Sequence, residues 1–446
     1  MVARVLDLST LSDRSPQGIA GAFARAVRAG ELLPGDRLPT VRGVAAELGV
    51  SPATVSAAWQ ALRRTGLVVS RGRSGTFVDA HPRAWLTPRQ LGLVGAGPEG
   101  LRVDLSRGTP DPELLPSLGP ALGRVSARAG TGVYQDEPVL PQLRTVLADS
   151  WPYEAEVLTV VNGAMDGIGR ALAEIVSLGD RVALESPGFP PLFDLVDSLG
   201  AEIVAVAIDG EGIRPDALRR ALASRPVAIV VQPRAQNHTG AAMSRRRMDA
   251  LARVLREADT VPWILEDDHS GAISTSPDVS LGTHFPDRVV HVRSFSKSHG
   301  PDLRIAAVGG PASLMDPLVA RRMLGPAWTS RMLQTIMHDL LTAERSTTEV
   351  ATAARCYADR QLGVVRALAT EGVVVALPDG INLWLPVRDE RAALLHLAAA
   401  GIRAAAGTPF VADTTTGPHL RVTSGLVVPE HCDDVAIALA AAARAG

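Results

Sequence analysis

Lys297, in the string Ser-Phe-Ser-Lys-Ser-His-Gly at 294–300, is the only lysine in a chain that carries 44 arginines. An amine can lose its proton and attack a carbonyl, whereas a guanidinium stays protonated and is a poor nucleophile. A lysine kept against so strong a bias toward arginine therefore points to nucleophilic chemistry. On composition alone, a surface lysine left over by chance fits equally well, and the surrounding strings must decide. Several of them place polar residues directly after apolar runs. Asn-Gly-Ala-Met follows VLTVV, Gln236-Asn237-His238-Thr239-Gly240 follows VAIVVQ, Glu266-Asp267-Asp268-His269 follows PWIL, and Arg293 to Lys297 follow VVHV, with Arg304 further on.

The elements that must position these residues read as an α/β domain. The runs VLTVV, RVALES, EIVAVAI, VAIVVQ, PWILED, VVHVRS and RIAAVG alternate with helical stretches and are consistent with buried parallel strands, so a mostly parallel sheet with helices on both faces is expected. In such sheets ligands bind beyond the carboxyl ends of the strands, which is where the polar strings lie. A helix start whose N–H groups can hold a phosphate, a buried acid and an imine-forming lysine are together what pyridoxal 5′-phosphate (PLP) requires. No sequence spacing supports a metal site, and Cys356 and Cys432 stand apart as plain thiols of a reducing compartment.

The first eighty residues read differently. Three helices are punctuated by Ser15-Pro16 and Gly30, by Thr40 and Gly49, and by Ser51-Pro52 and Gly66. Only Gly49, Val50 and Ser51 separate the second helix from the third, as in a helix-turn-helix. LVVS and GTFV around RGRSG then form a β-hairpin, or wing. Up to Asp79 there are ten arginines against six acids, in a chain whose net charge is −2. A local basic excess in an otherwise neutral chain suits phosphate contacts with nucleic acid. Residues 81–102 are rich in proline and glycine without a sustained period, which makes them a linker. The expected organisation is 1–80, DNA-binding; 81–102, linker; 103–446, an α/β domain with a smaller α+β part from about 365. The N-terminus lacks an apolar signal core and no apolar run is of membrane-spanning length, so a cytoplasmic protein without membrane contact is expected.

Residues 15–79 resemble the GntR-type winged helix, with Leu-Pro-x-x-Arg, Thr-Val-x-x-Ala and Ser-Gly-Thr-x-Val in register. The resemblance implies that the third helix enters the major groove of double-stranded DNA, and that Arg42, Ser51, Thr54, Arg73 and Gly75 contact it. Pro52 stands where many relatives carry a residue able to reach a base edge. Residues 103–444 resemble fold type I aminotransferases. The whole chain is thereby similar to the MocR-type regulators. That resemblance makes Lys297 the Schiff-base lysine and pairs Asp267 with the pyridine nitrogen. Asn237 would bond the ring hydroxyl, and Phe189 would stack on the ring. Gly163, Ala164 and Met165, with Ser294, Ser296 and Arg304, would hold the phosphate. Tyr134 would reach the phosphate of a neighbouring subunit, implying a homodimer, and Arg421 would clamp a carboxylate.

His269 replaces the usual tyrosine near the ring hydroxyl, and an imidazole there is expected to titrate near neutrality and to alter the imine pKa. His238 and His299 are also departures, and the three histidines are expected around one pocket. Two functions remain open. One is a transcription regulator that senses PLP, or an amine or amino acid condensed on it, through Lys297. The other is a working aminotransferase that carries a DNA-binding domain. The regulator is favoured, because a winged helix has no use in metabolism.

Overall fold

The computed structural model describes residues 11, 13–70, 74–79, 86, 87, 89, 90, 100–125, 133, 135–412 and 416–446. Helices α1 (Pro16–Ala29), α2 (Val41–Leu48) and α3 (Pro52–Arg64) begin where the sequence places caps. The hydroxyls of Ser15, Thr40 and Ser51 accept from the amides of Gly18, Gly43 and Thr54, which satisfies N–H groups that a helix start leaves unpaired. Ile19, Phe23, Val44, Leu48, Val55, Trp59 and Leu62 form the buried centre, with Phe23 and Trp59 edge to face at 4.6 Å. The wing is an antiparallel pair, β1 (Val68–Ser70) and β2 (Thr76–Val78), with Val68 opposite Val78.

The large domain is built on an eight-stranded sheet in the order β4-β11-β10-β9-β8-β5-β6-β7. Its strands are β4 (Val157–Val161), β5 (Arg181–Ser186), β6 (Glu202–Asp209), β7 (Gly212–Ile213), β8 (Ala228–Val231), β9 (Trp263–Asp268), β10 (Val289–Ser294) and β11 (Ala306–Gly310). Pairing is parallel from β6 through β5, β8 and β9 to β10. Every residue of β8 and β10 is buried, so these strands read as continuous apolar runs interrupted by a few polar residues. One apolar layer on the sheet includes Leu143, Met248 and Leu251, and the other includes Ile168, Leu172 and Val196.

RIAAVG departs from the parallel expectation. It forms β11, antiparallel to both β10 and β4, with Ser294 opposite Ala306. The connection, residues 295–305, contains one short 3₁₀ turn and no crossover helix. A parallel partner requires a crossover, so the chain turns back beside β10. This return carries Lys297.

The smaller domain has a three-stranded sheet of β12 (Leu383–Pro386), β14 (Ala405–Ala406) and β15 (His419–Val422), backed by the long helix Glu344–Thr370 and by Cys432–Arg444. Leu383, Leu385, Leu420 and Val422 enter its core, so strand alternation turns Trp384 and Arg421 to the other face, where they sit opposite each other. Residues 103–105 belong here too. β3 (Val103–Asp104) pairs with β13 (Ile402–Arg403), and Leu105 is fully buried in the same core. No helix among the described residues is long and apolar enough to cross a membrane.

Candidate cofactor and DNA-binding sites

The loops that follow β4, β8, β9 and β10 meet at a cavity of about 200 Å³. Ala164, Met165, Phe189, Asn237, Asp267, His269, Ser294, Ser296, Lys297, Arg304 and Arg421, all singled out in the sequence, line it. Gly163 lies immediately beside Arg304. Three further lining residues carry no prior expectation: Arg107, Gly108 and Gln232.

Asp267, the penultimate residue of β9, is buried. Its Oδ2 accepts from Gln232 Nε2 at 2.7 Å, while Oδ1 is buried without a partner. Burial raises this carboxyl to about 6, aided by Asp268 and opposed by Gln232, His291 and Lys297. A buried oxygen left unpaired is costly, about 1–3 kcal/mol. It is the acceptor that a protonated ring nitrogen needs, so the donor set fits PLP on this side. Asn237 lies on the adjoining loop, with its amide on Gln232 Oε1 at 2.8 Å and its Oδ1 receiving Asn382 Nδ2 at 3.1 Å. Beneath Asp267, Asp268 is gripped by both branches of Arg234, at 2.9 and 2.7 Å. Burial opposes the Asp268 charge, yet Arg234 holds this carboxyl well below the usual range.

The opposite end offers an anion cradle. Helix Ala164–Ile175 begins at Gly163, whose φ of +99° and lack of Cβ matter together. A Cβ there would stand 2.6 Å from Arg304 Nη2, so only glycine lets that guanidinium lie on the helix start. Arg304 donates to Asn162 O at 3.2 Å and takes a left-handed φ of +47° itself. The first N–H groups of the helix have no partners within it. Together with Ser294, Ser296 and Arg304 they suit a phosphate.

Lys297 projects from the β10–β11 return, and its Nζ donates to Gly108 O. Burial, reinforced by Arg421 and opposed by Asp267, lowers this amine to about 8. Arg421, on β15, donates through Nη2 to Ser106 O, and its buried Nε has no partner. A Cβ on Gly108, at φ +62°, would meet Arg421 Nη1 at 2.5 Å. Main-chain carbonyls of residues 106–108 therefore lie on both cations.

In the winged helix, Arg42 is exposed in the first turn of α2, and Ser51 and Thr54 stand together at the start of α3. Their hydroxyls are 2.9 Å apart, and Ser51 also caps the helix. Gly75, at φ +109°, leaves room for the Arg37 guanidinium, which a Cβ would approach to 2.8 Å. Arg37 is thus a second exposed cation near the wing, and the sequence reading passed over it because it lies outside the helix-turn-helix. Arg73 lies outside the described residues, as does Tyr134.

Residues 17–78 match the model of bacterial regulatory proteins of the gntR family, and residues 102–439 match that of aminotransferase class I and II. A vitamin B6 salvage pathway transcriptional repressor, PtsJ of Salmonella typhimurium, is 34% identical over 84% of this chain and 86% of its own. The transcriptional regulator TauR of Rhodobacter capsulatus is 29% identical over 86% and 87%. The chain belongs to the MocR-type regulators. For this MocR-type chain the fold likeness extends to α-aminoadipate aminotransferase LysN of Thermus thermophilus, with a TM-score of 0.70 at 21% identity over 80% of this chain and 94% of that one.

Two expectations about histidines in the MocR-type regulator do not hold. His269 does not titrate near neutrality, because burial and the Lys297 charge push it down to about 3; its Nε2 pairs with Ser270 Oγ at 3.1 Å. Nor do the three histidines share a pocket, since only His269 lines the cavity. His238 is buried between Trp384 and Phe410, with ring centroids at 4.1 and 4.4 Å. His299 is buried on Ser298 Oγ at 2.8 Å and edge-on to Phe295. Apolar rings claim both imidazoles, which the polar loop sequence did not signal.

Two measurements follow for this regulator. Arg42→Ala should weaken binding to its own promoter region, and should reduce the slope of log affinity against log salt by about 1; a gel-shift series over salt concentration reads both. Lys297, lowered to about 8, must lose a proton before it attacks an aldehyde. The rate at which PLP attaches should therefore rise with pH and level off above about 8, where an ordinary lysine, with a pKa of about 10.4, would still be rising. Stopped-flow absorbance across a pH series checks this.

Proposed function

We propose that this transcription regulator binds double-stranded DNA as a homodimer and senses PLP through Lys297. The observation that carries the reading is one cavity that holds the chain's single lysine, the orphaned Oδ1 of Asp267 and the Gly163–Arg304 cradle. PLP, when bound, supplies an aldehyde and an electron-withdrawing ring. Lys297 provides the amine for that aldehyde. Asp267 Oδ1 would accept from the ring nitrogen, Asn237 and His269 would meet the ring hydroxyl, and Phe189 would pack on the ring. The N–H groups of Gly163, Ala164 and Met165, with Ser294, Ser296 and Arg304, would hold the phosphate. Arg421 would offer a guanidinium to a carboxylate on an amino-acid effector, and Tyr134 is assigned the role of reaching a neighbouring subunit's phosphate. Ser51, Thr54, Arg42, Arg73 and Gly75 are assigned to contact with DNA.

The similarity to a repressor named for vitamin B6 salvage supports PLP itself as an effector. Occupancy would regulate only if it favours one arrangement of the paired winged helices over another. The test is a PLP titration of the full chain, followed by visible absorbance and by promoter binding in the same samples. Promoter affinity should change over the same PLP range in which the visible band grows; a band with no change in affinity would sink the sensing role.

A second reading, an active aminotransferase, draws on Arg421 and Lys297 sharing the cavity. Adding amino acids and then a keto acid separates the two. Bleaching of the band and repeated restoration by the keto acid would mean turnover. A band that shifts once and stays would mean sensing.

A further inference from the structure

Gln232 follows β8 and is buried at 2% exposure. Its main-chain N–H and both polar atoms of its side chain are engaged. Its main-chain N–H donates to Glu185 Oε1 at 3.3 Å, its Nε2 donates to Asp267 Oδ2 at 2.7 Å, and its Oε1 accepts from the Asn237 amide at 2.8 Å. The orientation of the side-chain amide follows from these partners. A main-chain N–H can only donate, so the atom facing Asn237 must be the oxygen, and the nitrogen must face Asp267. An N–H aimed at Oδ2 excludes a proton from that oxygen. Any proton carried by Asp267 must then reside on Oδ1, the atom with no protein partner.

We infer that Gln232 is a positioning residue that directs the proton-exchanging oxygen of Asp267 into the cavity and also holds the main chain of Asn237, the residue assigned to the ring hydroxyl. Glu185 anchors the arrangement. Its Oε2 receives Gln236 Nε2 at 3.3 Å, and Gln236 Oε1 in turn accepts from the amides of His238 and Thr239, both at 3.2 Å. One buried carboxyl thus ties together the residue that orients Asp267 and the residue that braces the loop bearing Asn237. The polar string after VAIVVQ drew attention to 236–240, whereas Gln232 appeared as the end of a strand.

This inference rests on the reading that the cavity takes PLP, and its test uses two probes. One is PLP, and the other is its 1-deaza analogue, in which carbon replaces the ring nitrogen. Dissociation constants for both are measured on the full chain, wild type and Gln232→Met, by absorbance and by tryptophan fluorescence. The wild type should prefer PLP. Gln232→Met should reduce that preference by about tenfold, the scale of one hydrogen bond to a charged group. Loss through Asn237 affects both probes alike and cancels in the ratio.

Gln232→Leu is a second variant that likewise removes the donor to Asp267; it should also lose the preference, and it covers the case in which the methionine variant does not fold. An unchanged ratio in a folded variant overturns the inference, because a merely structural glutamine weakens both probes equally. A wild type that binds neither probe overturns the PLP reading itself and this inference with it.

Discussion

Lys297→Arg should yield a protein that never develops the visible PLP band. After borohydride treatment it should carry no cofactor mass. In the wild type, reduction should leave that mass on a single peptide, because Lys297 is the chain's only side-chain amine. Arginine retains the charge near Asp267 but cannot form an imine, so the substitution removes the covalent bond and leaves the electrostatics of the cavity similar. The effect should be a complete loss rather than a graded one. Lys297→Ala with added methylamine is the companion measurement, since a free amine can restore the band without restoring the attachment to protein. A reduced, cofactor-bearing Lys297→Arg chain would show that a different nucleophile holds PLP.

Asp267→Ala should weaken PLP binding by about 10- to 100-fold, because a hydrogen bond to a charged group contributes about 1.5–3 kcal/mol. A second consequence runs the other way. Burial and Arg421 lower the Lys297 amine to about 8, and Asp267 opposes them. Without the carboxylate the amine should lose its proton more easily, so the pH midpoint for PLP attachment should move below about 8 even as affinity falls. Equilibrium titration and the stopped-flow pH series read the two effects separately. Weaker binding with an unmoved midpoint would show that Asp267 meets the ring but does not act on the lysine.

The residues that follow apolar runs were legible in the sequence because a strand end and a helix cap are local events. Asn237, Asp267 and Lys297 each belong to a short string, and parallel strands bring such strings to one edge. The winged-helix caps at Ser15, Thr40 and Ser51 were legible for the same reason. What escaped the reading depends on distant partners. The direction of β11 follows from its pairing with β4, far earlier in the chain. Gln232 gains its meaning only when Asp267 arrives beside it. His238 turned out to be packed against Trp384 and Phe410 of the smaller domain, which no spacing around residue 238 could reveal.

The carbonyls of Ser106 and Gly108 act as resident stand-ins for a ligand. They hold the hydrogen bonds of Arg421 and Lys297, the two groups an effector would need. A newcomer must therefore outcompete main chain for these donors, and its measured affinity is the difference between the two sets of contacts. The displaced residues are not an isolated loop. The Gly108 amide is held by Thr423 Oγ1 at 2.9 Å, Leu105 bonds Arg403 and Thr423, and the stretch begins where residues 81–102 end. Filling the cavity would thus exchange partners in a main-chain segment that is itself tied to the strands of the smaller domain.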